Sequence, residues 1–264
     1  SGTQEADVRC EMTKRQECVV VAESREAALE LTALANEICD SVTVIAAGDR
    51  EAAVNCEVAY FIDTSRQGFI SAVKSIVDKV EESRADVVLF ENTKNGRYAA
   101  ACLAAEHGTS AVPDVSDVRL SGNQVLAKRV VYGGEAYKTV AVDGMAVLCP
   151  VAGLMRAETE RPCTNVVELP ASMPDGLEFV SCEPKTVQKV GLQSAKRVLG
   201  IGRGVKGEEG LREAEAFAAK LGAELGCTRP VAEEDKLLPR ERYIGVSGAS
   251  IRPRLYVASG ISNL

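Results

Sequence analysis

The sequence contains no tryptophan and a single histidine, and its nine cysteines include no Cys-x-x-Cys pair. A Ser-His triad or a histidine-based metal centre is therefore poorly supported, and zinc and iron–sulfur sites are usually signalled by paired cysteines. We expect no metal, no catalytic residue for substrate chemistry, and cysteines that are mostly small buried hydrophobic residues in a reducing compartment. The single histidine, His107, is predicted to cap the end of a helix.

Long apolar runs are also missing, since no stretch approaches the ~20 residues that cross a bilayer. The N-terminus has no secretory pattern. We therefore expect no membrane insertion and a cytoplasmic or matrix-type location. The net charge of −7 and the pI near 5.1 argue against nucleic acid as a partner, because a phosphate-binding surface needs clustered cations.

The chain of 264 residues is long enough for two domains. Residues 1–11 are interpreted as a tag remnant or disordered N-terminus. Residues 12–193 are predicted to form an N-terminal α/β domain with a parallel sheet, because strand and helix patterns alternate up to residue 107. Short strands from residue 113 onward predict antiparallel hairpins. The proline-containing stretch 157–195 is predicted to be an extended connector without regular structure.

Residues 194–264 are predicted to form a second α/β domain of Rossmann-like type. A strand over 197–201 enters the glycine-rich turn 200–207, a helix follows over 208–221, and a strand over 224–226 ends at Cys227-Thr228-Arg229. Open α/β sheets place their ligands at the carboxyl ends of such strands. Glycines let backbone N–H groups approach an anion, and the arginines, which we expect to be buried, add positive charge.

Several motifs of the chain resemble the electron-transfer flavoprotein alpha subunit family, and they occur in the same order along the chain. In the second domain they are Gly202-Arg203-Gly204-Val205-Lys206, Gly226-Cys227-Thr228-Arg229-Pro230, Ile244-Gly245-Val246-Ser247-Gly248 and the stretch 253–262. In the first domain they are the stretches 86–97, 113–117 and 131–137. The resemblance covers nearly the whole chain from residue 17.

This resemblance implies an electron carrier that binds FAD on its second domain, pairs with a beta subunit through its first domain, and accepts electrons from acyl-CoA dehydrogenase-type flavoenzymes. Arg203 would lie near the FAD pyrophosphate and Arg229 over the isoalloxazine, while Thr228 would hydrogen-bond the cofactor and Ser247 would donate near N5. The remaining cofactor-binding residues that it implies are Gly204, Ile244, Gly245, Val246, Gly248 and Ser262.

The family's motif continues after Gly-Ile-Ser with Gly-Ala-x-Gln-His, whereas Ser262 is followed by Asn263 and Leu264. We therefore expect two strands of the second sheet and the adenosine contacts to be missing, and residues 255–259 to form an open sheet edge. Either the chain is a cut-down product, or it is a degenerate member of the family that binds FAD weakly or not at all. Two further functions stay open, a cofactor-free assembly module and a stand-alone nucleotide-binding protein. Arg229 could instead form a salt bridge with the 233–235 acidic cluster, and Arg203 could be an exposed turn residue.

Overall fold

The chain divides into two units, residues 1–182 and 183–264. A computed structural model describes residues 14–181, 191–192, 195–245, 248–249 and 251–261. The predicted domain boundary between residues 193 and 194 stays a prediction. None of the helices in these ranges is long and apolar enough to cross a membrane.

A nine-stranded sheet with three α-helices forms the first unit. Its strands are β1 (Arg15–Ala22), β2 (Cys39–Ala47), β3 (Ala59–Ile62), β4 (Val87–Phe90), β5 (Ala111–Ser121), β6 (Gln124–Val131), β7 (Ala136–Asp143), β8 (Ala146–Pro150) and β9 (Val166–Leu169). Its helices are α1 (Arg25–Ile38), α2 (Val73–Ser83) and α3 (Lys94–Glu106). The strand order is β7-β6-β5-β8-β4-β1-β2-β3-β9. All neighbours are parallel except β5–β6 and β6–β7, which confirms the predicted parallel sheet and its antiparallel hairpins.

Strand β1 lies near the middle of this sheet, and its apolar run is buried because both faces are covered. Val20 belongs to a core that includes α1 residues such as Leu31. Val19 belongs to a second core that includes Ile76 of α2 and Leu103 of α3. Successive side chains of a strand point to opposite faces, so one continuous hydrophobic segment supplies both cores.

Strand β9 corrects the sequence interpretation of residues 157–195 as an extended connector. Residues Val166–Leu169 pair in parallel with β3, and the N–H of Ala59 donates to the carbonyl of Asn165 at 3.0 Å. The strand has only four residues, and Pro170 follows it directly. Its pairing depends on a strand about a hundred residues earlier, which local periodicity does not report.

The second unit contains β10 (Arg197–Ile201), α4 (Gly207–Leu221), β11 (Glu224–Cys227), α5 (Arg229–Glu233) and β12 (Leu255–Ser259). Its three described strands are all parallel, in the order β11-β10-β12. Helix α4 packs Ala214 and Ala218 into a core that contains Leu199 and Ile201 of β10. Strand β12 ends at Ser259, because Gly260 takes a left-handed φ of +64° and turns the chain.

Candidate functional site

The carboxyl end of β10 is the position where this second sheet is expected to hold a ligand. Strand β10 has β11 on one side and β12 on the other, so the winding of the chain reverses at this point. In open parallel sheets the crevice at such a reversal is the usual binding site. The segments that leave the three strands here are 202–206, 228–229 and 260–261.

Two of these segments cross in direct backbone contact. The N–H of Gly204 donates to the carbonyl of Gly260 at 2.9 Å, and the N–H of Gly202 donates to the carbonyl of Ser259 at 2.9 Å. A Cβ on Gly260 would lie 2.8 Å from the Cα of Gly204 and 2.7 Å from the amide nitrogen of Val205. No side chain fits at this crossing, which explains the glycines on both segments.

Hydrogen bonds along the sheet edge bring the other predicted residues to the same end. The N–H of Thr228 donates to the carbonyl of Ile201 at 2.9 Å, and the N–H of Ile244 donates to the carbonyl of Cys227 at 2.8 Å. A turn follows in which the N–H of Gly248 donates to the carbonyl of Gly245 at 3.0 Å. The side chain of Ile244 occupies the space that a Cβ on Gly226 would need.

Seven of the ten predicted cofactor-binding residues are described, and all seven lie at this end of the sheet. They are Arg203, Gly204, Thr228, Arg229, Ile244, Gly245 and Gly248. The other three, Val246, Ser247 and Ser262, lie outside the described residues.

Arg203 is exposed and already has carboxylate partners. Its guanidinium contacts Glu234 and lies 3.5 Å (Nε to Oδ2) from Asp235, while 54% of the side chain remains accessible. The expectation that the arginines of this site are buried is therefore wrong for Arg203. The residue sits in a turn beyond the strand end, where its long side chain reaches solvent.

Arg229 shows the same behaviour with the first residue of the acidic cluster. Its Nε donates to Oε2 of Glu233 at 2.6 Å, and its side chain is 63% exposed, so the expected burial is wrong here too. The contact lowers the pKa of the Glu233 carboxyl and raises the pKa of the Arg229 guanidinium. Arg240 approaches the other oxygen of Glu233 at 3.7 Å. The salt bridge that the sequence left open for Arg229 is thus present in the structure.

A cleft of about 400 Å³ opens beside this acidic cluster. Its lining residues are Arg203, Val205, Lys206, Gly207, Asp235 and Leu237. Lys206 is the N-cap residue of α4, whose first turn leaves backbone N–H groups without intrahelical partners. Two cations beside the start of a 15-residue helix form a donor set that suits a diphosphate. Lys206 was not among the predicted cofactor-binding residues, although it lies in the same Gly-Arg-Gly-Val-Lys motif as Arg203.

The first unit has a similar reversal between β1 and β4, and a carboxylate of the protein fills it. Oε2 of Glu91 accepts hydrogen bonds from the N–H groups of Glu23 (2.7 Å) and Ser24 (3.0 Å), and Ser24 is the N-cap residue of α1. Burial raises the pKa of Glu91. The Thr93 hydroxyl accepts the N–H of Gly96 at 2.9 Å, which makes Thr93 the N-cap residue of α3.

Two models of known protein families match this chain. The family model of the electron transfer flavoprotein domain matches residues 18–173, more than half of the chain, and the model of the electron transfer flavoprotein FAD-binding domain matches residues 191–263.

Among individual relatives, the FixB protein of Salmonella typhimurium is 33% identical over 190 residues, which is 69% of this chain and 59% of that protein. A putative electron transfer flavoprotein subunit of Escherichia coli K12, YdiR, is 32% identical over 197 residues, 72% of this chain and 62% of that protein. The chain thus spans about three fifths of the length of these relatives. Together with the two family matches, this places the chain in the electron transfer flavoprotein family, among its alpha-type subunits.

Proposed function

We propose that the second unit binds FAD at the carboxyl ends of β10, β11 and β12, and that the chain carries electrons as the alpha subunit of a heterodimer. The observation that carries this proposal is the convergence of Arg203, Lys206 and the start of α4 on one cleft, within the segment matched by the FAD-binding model. Bound FAD would supply the capacity to take up and release one or two electrons.

Each residue at this sheet end has a separate task in the proposal. Arg203 and Lys206 would hold the pyrophosphate together with the first amides of α4. The Gly204–Gly260 crossing would let the backbone approach the cofactor closely. Thr228 would hydrogen-bond the cofactor, and Arg229 would lie over the isoalloxazine, where its positive charge favours the reduced, more negative flavin. The turn 244–248, with Val246 and Ser247, and Ser262 would contribute the remaining contacts.

The acidic cluster would compete with an anionic cofactor for the two arginines. Glu233, Glu234 and Asp235 hold Arg229 and Arg203, so an anionic cofactor has to displace these carboxylates from the guanidinium groups. The exchange replaces one set of charge-assisted hydrogen bonds by another. Because the pairs are exposed to solvent, breaking them costs little.

The proposal extends to the partners that the family implies. The first unit would contact a beta subunit, and the electrons would come from a flavin dehydrogenase of the acyl-CoA dehydrogenase type and pass to an acceptor. Cytoplasmic location is part of the same proposal. Membership in the alpha-type family supports these partners.

The visible spectrum of the purified chain, alone and with its beta subunit, tests the FAD proposal. We expect flavin absorbance that co-purifies with the complex in a one-to-one ratio to the chain. A stable but colourless complex that fails to take up added FAD would overturn the proposal in favour of a cofactor-free assembly module. A colourless monomer that binds other nucleotides would overturn it in favour of a stand-alone nucleotide-binding protein.

Substitution of Arg203 tests the site itself. We expect Arg203→Ala to weaken FAD binding about ten-fold or more, because the pyrophosphate loses a charge-assisted contact. Arg212→Ala removes the same charge from α4, outside the residues that line the cleft, and serves as the control. Equal FAD affinity in the two variants would contradict the proposed site.

A further inference from the structure

Two partly buried cysteines that are distant in sequence face each other in the first unit. Cys56 follows a short turn after β2, and Cys163 lies in the segment that leads to β9. The two segments run antiparallel, with a β-bridge between Val54 and Pro162. The N–H of Asn55 donates to the carbonyl of Arg161 at 2.8 Å.

Backbone contacts place Cys163 across the turn that contains Cys56. The N–H of Cys163 donates to the carbonyl of Ala53 at 2.9 Å, and the Cys163 sulfur lies 3.6 Å from the carbonyl oxygen of Glu57 and 3.3 Å from that of Asn165. Cys163 therefore contacts residues on both sides of Cys56. Cys56 and Cys163 are thus neighbours, and burial together with the proximity of Cys163 raises the pKa of Cys56 to about 12.

We propose that Cys56 and Cys163 form a site of reversible oxidation, at which a hydroperoxide converts the two thiols into a disulfide. One thiolate attacks the peroxide oxygen, which gives a sulfenic acid and releases an alcohol or water. The second thiol then attacks that sulfur, and the hydroxyl group leaves as water. Overall the pair loses two electrons and two protons, and the hydroperoxide is reduced. This inference does not rest on FAD binding.

The first unit contains a second pair of neighbouring cysteines, and it tests whether oxidation requires exposure to solvent as well as proximity of the two thiols. Cys18 and Cys39 are also neighbours, but their residues are only 0% and 1% exposed, whereas Cys56 and Cys163 are partly exposed. Burial raises the pKa of Cys18 as it does that of Cys56, so the two pairs differ in exposure, on which oxidation also depends. We therefore expect the Cys56–Cys163 pair to react while the Cys18–Cys39 pair does not.

The disulfide would act on the edge of the nine-stranded sheet. It would join the turn before β3 to the segment before β9, and it would close a loop of more than a hundred residues. Cross-links that close long loops restrict the unfolded chain and so stabilise the folded state. The oxidised unit should consequently hold β9 more firmly and melt at a higher temperature.

Peptide mapping of the full chain after peroxide treatment tests the proposal. Reduced protein is treated with hydrogen peroxide, free thiols are alkylated, and digestion with Glu-C releases peptides 52–57 and 161–168, each with one cysteine. This cleavage also separates Cys163 from Cys182. We expect the two peptides to be joined, the number of alkylated thiols to fall by two, and dithiothreitol to reverse both changes.

The variants Cys56→Ser and Cys163→Ser serve as controls, and their reduced melting temperatures show whether they fold. Each should lose the cross-link and the rise in melting temperature caused by peroxide. Full alkylation of Cys56 and Cys163 after peroxide treatment of the wild type would overturn the proposal. Joining of Cys18 to Cys39 at a similar rate would also overturn it, since access would then not distinguish the pairs.

Discussion

The Glu91 carboxylate accepts the N–H of Ser24, the N-cap residue of α1, at 3.0 Å. A side chain of the first unit thus occupies the N-terminus of this helix. The same oxygen accepts the N–H of Glu23 at 2.7 Å, and the other oxygen accepts the Ser24 hydroxyl at 3.0 Å. A negative charge at this end of a helix is favourable. The position where related sheets bind a ligand anion is therefore filled from within the fold.

Removal of this carboxylate should destabilise the first unit. We expect Glu91→Ala to lower the free energy of unfolding by about 1–3 kcal/mol, because three donors lose their acceptor. Glu91→Gln keeps an acceptor oxygen at the same place and should cost less than half as much. Urea unfolding measures the free energy of unfolding of both variants. Equal losses would show that the hydrogen bonds of Glu91 do not stabilise the first unit.

The pH dependence of stability should also report on Glu91. Burial raises its pKa in the folded state above the ordinary value of 4.5, so its contribution is fully present below pH 4.5 and is lost as the pH rises through the raised pKa. We expect wild type to lose stability relative to Glu91→Gln between pH 4 and neutral pH. A stability difference that stays constant over this range would refute the raised pKa.

The glycine crossing of the second unit should tolerate no side chain. Gly260 and Gly222 share a left-handed φ, of +64° and +59°, but a Cβ on Gly222 meets its nearest neighbour only at 3.5 Å. We expect Gly222→Ala to cost about 1 kcal/mol, and Gly260→Ala about 2–4 kcal/mol because the backbone of Gly204 must move as well. Chemical denaturation measures both, and similar losses would contradict the close crossing.

If FAD binds as proposed, Arg229 should set part of its redox potential. Arg229→Ala removes a positive charge from beside the isoalloxazine, so we expect the midpoint potential of the bound flavin to fall by tens of millivolts, on the order of a tenfold change in the redox equilibrium. Redox titration of the complex measures this shift. Lys220→Ala, which removes a charge from the last turn of α4, is the control. An unchanged midpoint potential in Arg229→Ala would show that Arg229 does not lie beside the flavin.

Glu233 should compete with the cofactor for Arg229. We expect Glu233→Gln to raise FAD affinity about two- to five-fold, the size typical of an exposed i,i+4 ion pair. Glu106→Gln removes the same charge from α3 of the other unit and is the control. Fluorescence titration of FAD measures both. Weaker binding in Glu233→Gln would mean that Glu233 positions Arg229 instead of competing for it.

Local pattern in the sequence predicted most of the fold, because the elements are amphipathic or continuously apolar. The strand predicted over 197–201 agrees with the structure at both ends. His107 is the C-cap residue of α3, as predicted. Strand β9 was missed because its pairing partner is distant in sequence.

The candidate site was predictable in position but not in electrostatics. Glycine turns after successive strands predicted that these residues share one end of the sheet, and the structure places the described ones there. The acidic partner of Arg229 was anticipated only as an alternative, and the acidic partners of Arg203 were not anticipated, because the reach of long side chains depends on where the turns place them. Glu91 could not be assigned, since its acceptor role depends on contact with residues nearly seventy positions earlier.

The central place of β10 among its neighbours has a consequence for how the second unit opens. Its amides are paired with strands on both sides, whereas β12 is an outer strand of the described sheet. Isotope exchange at the backbone should then be slower in β10 than in β11 and β12, because local opening begins at the outer strands. The glycine-rich segment 202–206 therefore follows the described strand of this unit that we expect to open last.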